Sequence, residues 1–158
     1  MEITVRPARK EDAPVLIEFN SAMATETEHL TLDHAVLSRG VRAALADPGK
    51  ARYFVGETGG RIVGMLMLTL EWSDWRDGEI WWIQSVYVHS DFRRRGVFKA
   101  IYWHVEELAR ESGAVGLRLY VEKHNAAAQA TYANLGMRMS EYLVMEDLKL
   151  SATQSKRV

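Results

Sequence analysis

The chain contains no cysteine and only three prolines among its 158 residues. The first absence excludes disulfides, thiolate metal sites and a cysteine nucleophile, and it is compatible with a reducing compartment. Excess charge is also missing: 20 Lys and Arg stand against 21 Asp and Glu, a net charge of −1. That balance argues against a nucleic-acid binder, which needs a basic excess spread over a face. No apolar run approaches the roughly 20 residues of a membrane span. Met1 to Arg6 carries no signal-peptide core. Internal repeats and low-complexity tracts are absent too. The expectation is a single domain over residues 1–150, a flexible tail over 151–158, a cytoplasmic location, and no membrane or nucleic-acid partner.

What is present is an alternation of strand and helix patterns. Ile3 to Pro7 reads as a first strand, and Glu11-Asp12 open a helix through Val15, Leu16, Phe19 and Met23. Thr25 to His29 reads as a polar connection. A second helix runs from Asp33 to Asp47-Pro48-Gly49. Tyr53 to Val55 and Ile62 to Leu70 form a hairpin turned at Gly59-Gly60. After a loop from Trp72 to Gly78, a strand spans Glu79 to Val88. Val97, Ile101, Val105 and Leu108 make the apolar stripe of a helix closed by Gly113. Leu117 to Val121 is a strand, Asn125 to Leu135 a helix, and Met139 to Leu148 a last strand. This order describes an α+β fold around a mixed, mostly antiparallel sheet with helices on both faces.

The most informative junction joins strand Gln84 to Val88 to the helix beyond Gly96 through Asp91-Phe92-Arg93-Arg94-Arg95. A helix start leaves backbone N–H groups without internal partners and carries partial positive charge, so it suits a pyrophosphate. Gly96 permits close approach, and the arginines add charged donors. A solvated basic loop would carry the same residues. The P-loop pattern and the dinucleotide fingerprint are both absent. His89 and His104 have no second ligand at a metal spacing, so no metal is expected.

The loop Arg93-Arg94-Arg95-Gly96-Val97 resembles the signature of the GCN5-related N-acetyltransferase superfamily, which reads Gln or Arg, two residues, Gly, any residue, then Gly or Ala. Phe98 departs at the last position, where a small residue is usual; its amide is expected to face the phosphate while its ring turns into the core. A second element, Asn125-Ala126-Ala127-Ala128-Gln129-Ala130-Thr131-Tyr132-Ala133-Asn134-Leu135-Gly136, is similar to one late in these enzymes. The resemblance implies that acetyl-CoA lies between two parallel strands that splay apart. Val86, Tyr87 and Val88 would pair with the pantetheine arm. The amides from Arg94 to Lys99 would hold the pyrophosphate with Arg93 beside them, and Asn125 would contact the same cofactor.

Acetyl transfer from a thioester to an amine needs a neutral amine, a donor for the tetrahedral oxyanion and a proton for the thiolate. The N–H of Val86 suits the oxyanion, and Tyr132 suits the sulfur. Several relatives that acetylate polyamines carry a glutamate where this chain has Gln84, and an amide cannot accept an amine's proton. Glu26, Glu28, Asp74 and Glu79 are the acids left for that role. Glu26, Glu28 and Asp74, with Trp72, Trp75 and Gln84, make a candidate lining for a small cationic amine. Trp81 and Trp82 must point to opposite faces, one into the core and the other toward the acceptor or the partner in a homodimer. The leading expectation is a small-molecule N-acetyltransferase. A protein or peptide N-acetyltransferase and a non-catalytic acyl-CoA sensor are the alternatives.

Overall fold

A computed structural model describes residues 1–150, which fall into two compact units divided after Leu119. The tail from Ser151 lies outside the described residues.

In the first unit, β1 (Thr4–Pro7), β2 (Arg52–Thr58), β3 (Arg61–Ser73), β4 (Gly78–Val88) and β5 (Gly116–Leu119) form one sheet in the order β1-β2-β3-β4-β5. Three neighbouring pairs are antiparallel and β4–β5 is parallel. The β2–β3 turn uses Gly59 and Gly60 at φ 57° and 74°, the two positive values that a tight hairpin turn of this hand requires. Helices α1 (Ala13–Glu28) and α2 (His34–Ala46) pack on one face, where Leu16, Phe19 and Val41 meet Tyr53, Val55, Met65 and Tyr87. Side chains alternate across a strand, so Gly56 and Gly64 face the other side. There they lie beneath Ile101 and Val97 of α3 (Val97–Glu111). Trp81 is buried in the core while Trp82, its neighbour, is half-buried on the opposite face.

The structure differs from the sequence expectation in three places. Thr25 to Glu28 is the last turn of α1 and not a connection. The Thr25 and Thr27 hydroxyls bond back to the Ser21 and Met23 carbonyls, and His29 ends the helix at φ 53°. Trp72 and Ser73 belong to β3, paired with Glu79 and Gly78, so the expected loop shrinks to a turn over 74–77. Met139 to Leu148 lies in no strand, and Leu143 and Met145 are almost wholly exposed. Apolar content alone does not make a strand, which exists only where another strand satisfies its backbone groups.

The second unit contains α4 (Ala126–Asn134), capped by Asn125, whose Oδ1 accepts from the Ala128 N–H at 3.0 Å. Gly136 follows at φ 90°. Gln129 donates to the Glu122 and Lys123 carbonyls, tying the preceding turn to the helix.

Candidate active site

Residue Gln84 is the extra residue of a bulge in β4, because Ser85 pairs with Met67 while Ile83 pairs with Leu68. The bulge bends the strand where its other neighbour ends. Parallel pairing with β5 stops at Ile83–Leu119. Beyond that point β4 pairs with β3 on one side and, among the described residues, with no strand on the other, which leaves that edge open to strand pairing. The His89 N–H donates to the Val63 carbonyl of β3 at 2.9 Å. In an antiparallel ladder, residues alternate between facing their partner strand and facing away. Tyr87 therefore shares the β3 side with His89, and the N–H and C=O of Val86 and Val88 point to the open edge. The Arg93 Nε, which donates to the Val88 carbonyl at 3.0 Å, reaches it from that side.

The chain then enters the arginine loop. Arg94 adopts φ 62° and Gly96 φ 83°, two left-handed residues that turn the backbone into α3. A Cβ on Gly96 would meet nothing within 4 Å, so glycine is needed there for its conformation, not for space. The first intrahelical bond runs from the Ala100 N–H to the Gly96 carbonyl at 2.9 Å, and no side chain caps the turn. The amides of Val97, Phe98 and Lys99 thus stand at a 15-residue helix start with the dipole behind them. The Phe98 ring is half-buried near Tyr102, at 5.9 Å between centroids; Val97 is the residue that enters the core. The Arg95 guanidinium lies over Phe92 and the Lys99 ammonium over Trp103.

Arg93 is engaged differently from its two neighbours. Its Nη2 donates to Glu26 Oε2, while Glu26 Oε1 accepts from the Tyr87 hydroxyl at 2.8 Å. The Arg93 guanidinium holds the Glu26 carboxyl below the usual carboxylate range. Burial, and then this carboxylate, push the Tyr87 phenol up. Glu26 is therefore joined to the arginine loop and is not a free acid. Glu28 is exposed, and Asp74 accepts the Trp75 N–H at the hairpin tip, where Trp72 and Trp75 are both exposed. No contact brings Glu28 and Asp74 together.

A cluster that the sequence did not single out lies across the ends of β3, β4 and β5. Glu71 Oε2 accepts from Trp82 Nε1 at 3.1 Å and from Arg118 Nη1 at 3.0 Å. Gln84 donates to Thr69 Oγ1 at 3.0 Å. Pairing of Trp82 with Thr69 and Arg118 sets these side chains on one face, which strand alternation shares with Met65 and hence with α1 and α2. Only the strand register could have revealed this cluster. A cleft of about 320 Å³ on the β1 side is lined in part by Arg6, Asp12, Glu57 and Arg61, and there Arg6 pairs with both Asp12 and Glu57. In the second unit, burial pushes the Tyr132 phenol up, and Tyr132 lies two helical turns beyond Asn125 on α4. Among the described residues no group of three His, Asp or Glu could hold a metal ion.

A mixed sheet whose one parallel pair parts beside a glycine-led helix start defines the acyl-CoA-type N-acetyltransferase architecture. The chain belongs to the acetyltransferase (GNAT) family, whose sequence profile matches residues 16–137. It is 32% identical over 104 residues to an uncharacterized N-acetyltransferase in the pepI 3′ region of Lactobacillus delbrueckii subsp. lactis; the match covers 63% of this chain and 58% of that relative. The chain thus spans less than two thirds of that relative's length. A possible acetyltransferase from Clostridium difficile 630 shares 41% identity at a TM-score of 0.86, over 93% of this chain and 97% of that one. An aminoglycoside N-acetyltransferase solved in complex with CoA has the same fold, with a TM-score of 0.78 and 14% identity over 94% of this chain and 95% of that one. No described helix is long and apolar enough to cross a membrane.

Proposed function

We propose that the protein transfers an acetyl group from acetyl-CoA to the primary amine of a small, cationic molecule. The observation that carries this reading is the edge of β4 at Val86 and Val88, open to strand pairing, which leads through the short arginine loop to the uncapped helix start at Val97 to Lys99. An extended amide-bearing chain such as pantetheine fits an unpaired strand edge. A pyrophosphate fits the amides and dipole of a helix start, with Arg94 and Arg95 beside it. Both features fit acetyl-CoA in the same order along the chain.

The amine nitrogen attacks the thioester carbonyl carbon directly, and the C–S bond breaks as the tetrahedral intermediate collapses. The Val86 N–H, on the open side, stabilises the oxyanion. Tyr132 protonates the departing sulfur, since a phenol, whose ordinary pKa is about 10, carries its proton at neutral pH. Asn125 contacts the cofactor while it caps α4. Among the acids, Glu28 and Asp74 are the candidates to draw a cation, since Glu71 is already paired with Arg118, whose guanidinium also lies over the Trp82 face at 5.9 Å. Gln84 donates to Thr69 on the same face of the sheet as Trp82.

The shortness of the connections favours a second reading. Residues 29–33 and 74–77 are all that join α1 to α2 and β3 to β4, which leaves less chain to narrow the groove against a peptide. A screen of diamines, polyamines, amino acids, aminoglycosides and peptide amino termini, read by thiol release and product mass, tests both. Acetylation of small cationic amines supports the first reading and of peptides alone the second. Tight acetyl-CoA binding without transfer to any acceptor would indicate a sensor.

A further inference from the structure

Both carboxylate oxygens of Glu26 are used within the protein, one by the Tyr87 hydroxyl and the other by Arg93. Arg93 in turn has three attachments: Glu26, the Val88 carbonyl at 3.0 Å, and the Tyr87 ring, whose centroid lies 5.4 Å from Cζ. Tyr87 is 8% exposed and its ring sits 5.0 Å from Phe19 of α1. The last turn of α1, the open edge of β4 and the first residue of the arginine loop are thereby closed into one bracket.

We propose that Glu26 is a positioning residue for the donor site, acting through Arg93, and not an anchor for the acceptor. The inference rests on the reading that acetyl-CoA pairs with the β4 edge. The guanidinium is planar and holds its donors in a fixed fork, so anchoring one end on Glu26 fixes where the other end meets Val88. That contact sits on the side of β4 to which Val86 and Val88 point. Because Arg93 also begins the turn to Gly96, the same contact sets where the α3 amides stand relative to the strand edge. The pairing neutralises Arg93, which leaves Arg94 and Arg95 as the loop's charges for phosphate. Removing the carboxylate frees the fork, and the strand edge and the helix start lose their common reference. One Glu26 oxygen is engaged by Tyr87 and the other by Arg93, so its charge is committed to this bracket before an acceptor ammonium arrives.

The test compares Glu26→Gln, Arg93→Met and the double variant, with Arg93→Lys and Tyr87→Phe as milder changes and melting curves to verify folding. Acetyl-CoA affinity is measured by calorimetry and KM for the best acceptor by thiol release. Glu26→Gln and Arg93→Met should each weaken acetyl-CoA binding by about tenfold, with acceptor KM within about twofold of the original. The double variant should be no worse than Arg93→Met alone, since residues in one network do not act additively. Arg93→Lys and Tyr87→Phe, which each keep part of the bracket, should lose less. A rise in acceptor KM on Glu26→Gln with unchanged acetyl-CoA affinity would overturn the inference, as would fully additive effects. If the unaltered protein binds acetyl-CoA and the variants bind it equally well, this inference alone fails. If the unaltered protein does not bind it, the functional reading fails as well.

Discussion

Val97 lies so close to Gly64 that a Cβ on the glycine would stand 2.7 Å from Val97 Cγ1. The start of α3 therefore rests directly on β3, and the height of the helix above the sheet is set by the missing side chain. Val97 is 1% exposed and has little room to withdraw. Gly64→Ala should cost about 1–3 kcal/mol, read as a lower melting temperature. Gly64→Ala combined with Val97→Ala should recover part of the loss, because the second change removes the clashing methyl.

Gly96 meets the opposite situation. Space is open around it, but φ 83° is unfavourable for an L side chain by roughly 1–2 kcal/mol. Gly96→Val should leave thermal unfolding cooperative and weaken acetyl-CoA by about tenfold or more in calorimetry, since the turn and the α3 amides shift together. Unchanged affinity would remove the loop from the donor site.

Tyr132→Phe keeps the ring and deletes only the hydroxyl. Turnover should fall by about 10²–10⁴ with little change in acetyl-CoA affinity. The pH profile carries a second check. The acceptor amine must lose its proton, so rate rises with pH; burial raises the Tyr132 phenol, so deprotonation of the acid should limit rate only above the ordinary phenol value of about 10.

The stability of the β1 side should depend on Asp12, which hydrogen-bonds Arg6 at 2.7 Å and is held below the usual carboxylate range chiefly by it. A carboxylate with a lowered folded pKa contributes stability above its unfolded value and loses it as pH falls through the folded one. Asp12→Asn should therefore lower the melting temperature at neutral pH. The difference should shrink only below the ordinary aspartate value of about 3.9. A difference that is independent of pH would mean that shape, and not charge, holds this corner.

Much of this architecture is legible in residues whose local physics is unambiguous. Asp33 caps α2, Gly59-Gly60 turns a hairpin, Gly96 precedes α3 and Asn125 caps α4, each at a position where one side chain or one positive φ decides the outcome. The polar end of α1 reads as a connection, yet Thr25 and Thr27 satisfy their hydroxyls on the helix itself, an option that composition does not reveal. The segment from Met139 to Leu148 reads as a strand only if a partner is assumed. Contacts between distant residues were hidden altogether: the Glu26–Arg93 pair spans 67 positions and the Glu71–Arg118 pair 47. Arg93 was legible as a loop arginine, but its engagement with Glu26 was not.

The claim that acetyl-CoA lies along β4 and on the α3 start is tested most directly by backbone amide exchange, resolved by residue, with and without acetyl-CoA. The account predicts new protection at Val86, Val88 and the amides from Val97 to Lys99, with the β1–β2 pair unchanged. Saturating acetyl-CoA that leaves all of those amides unaltered, or protects amides elsewhere alone, would contradict it.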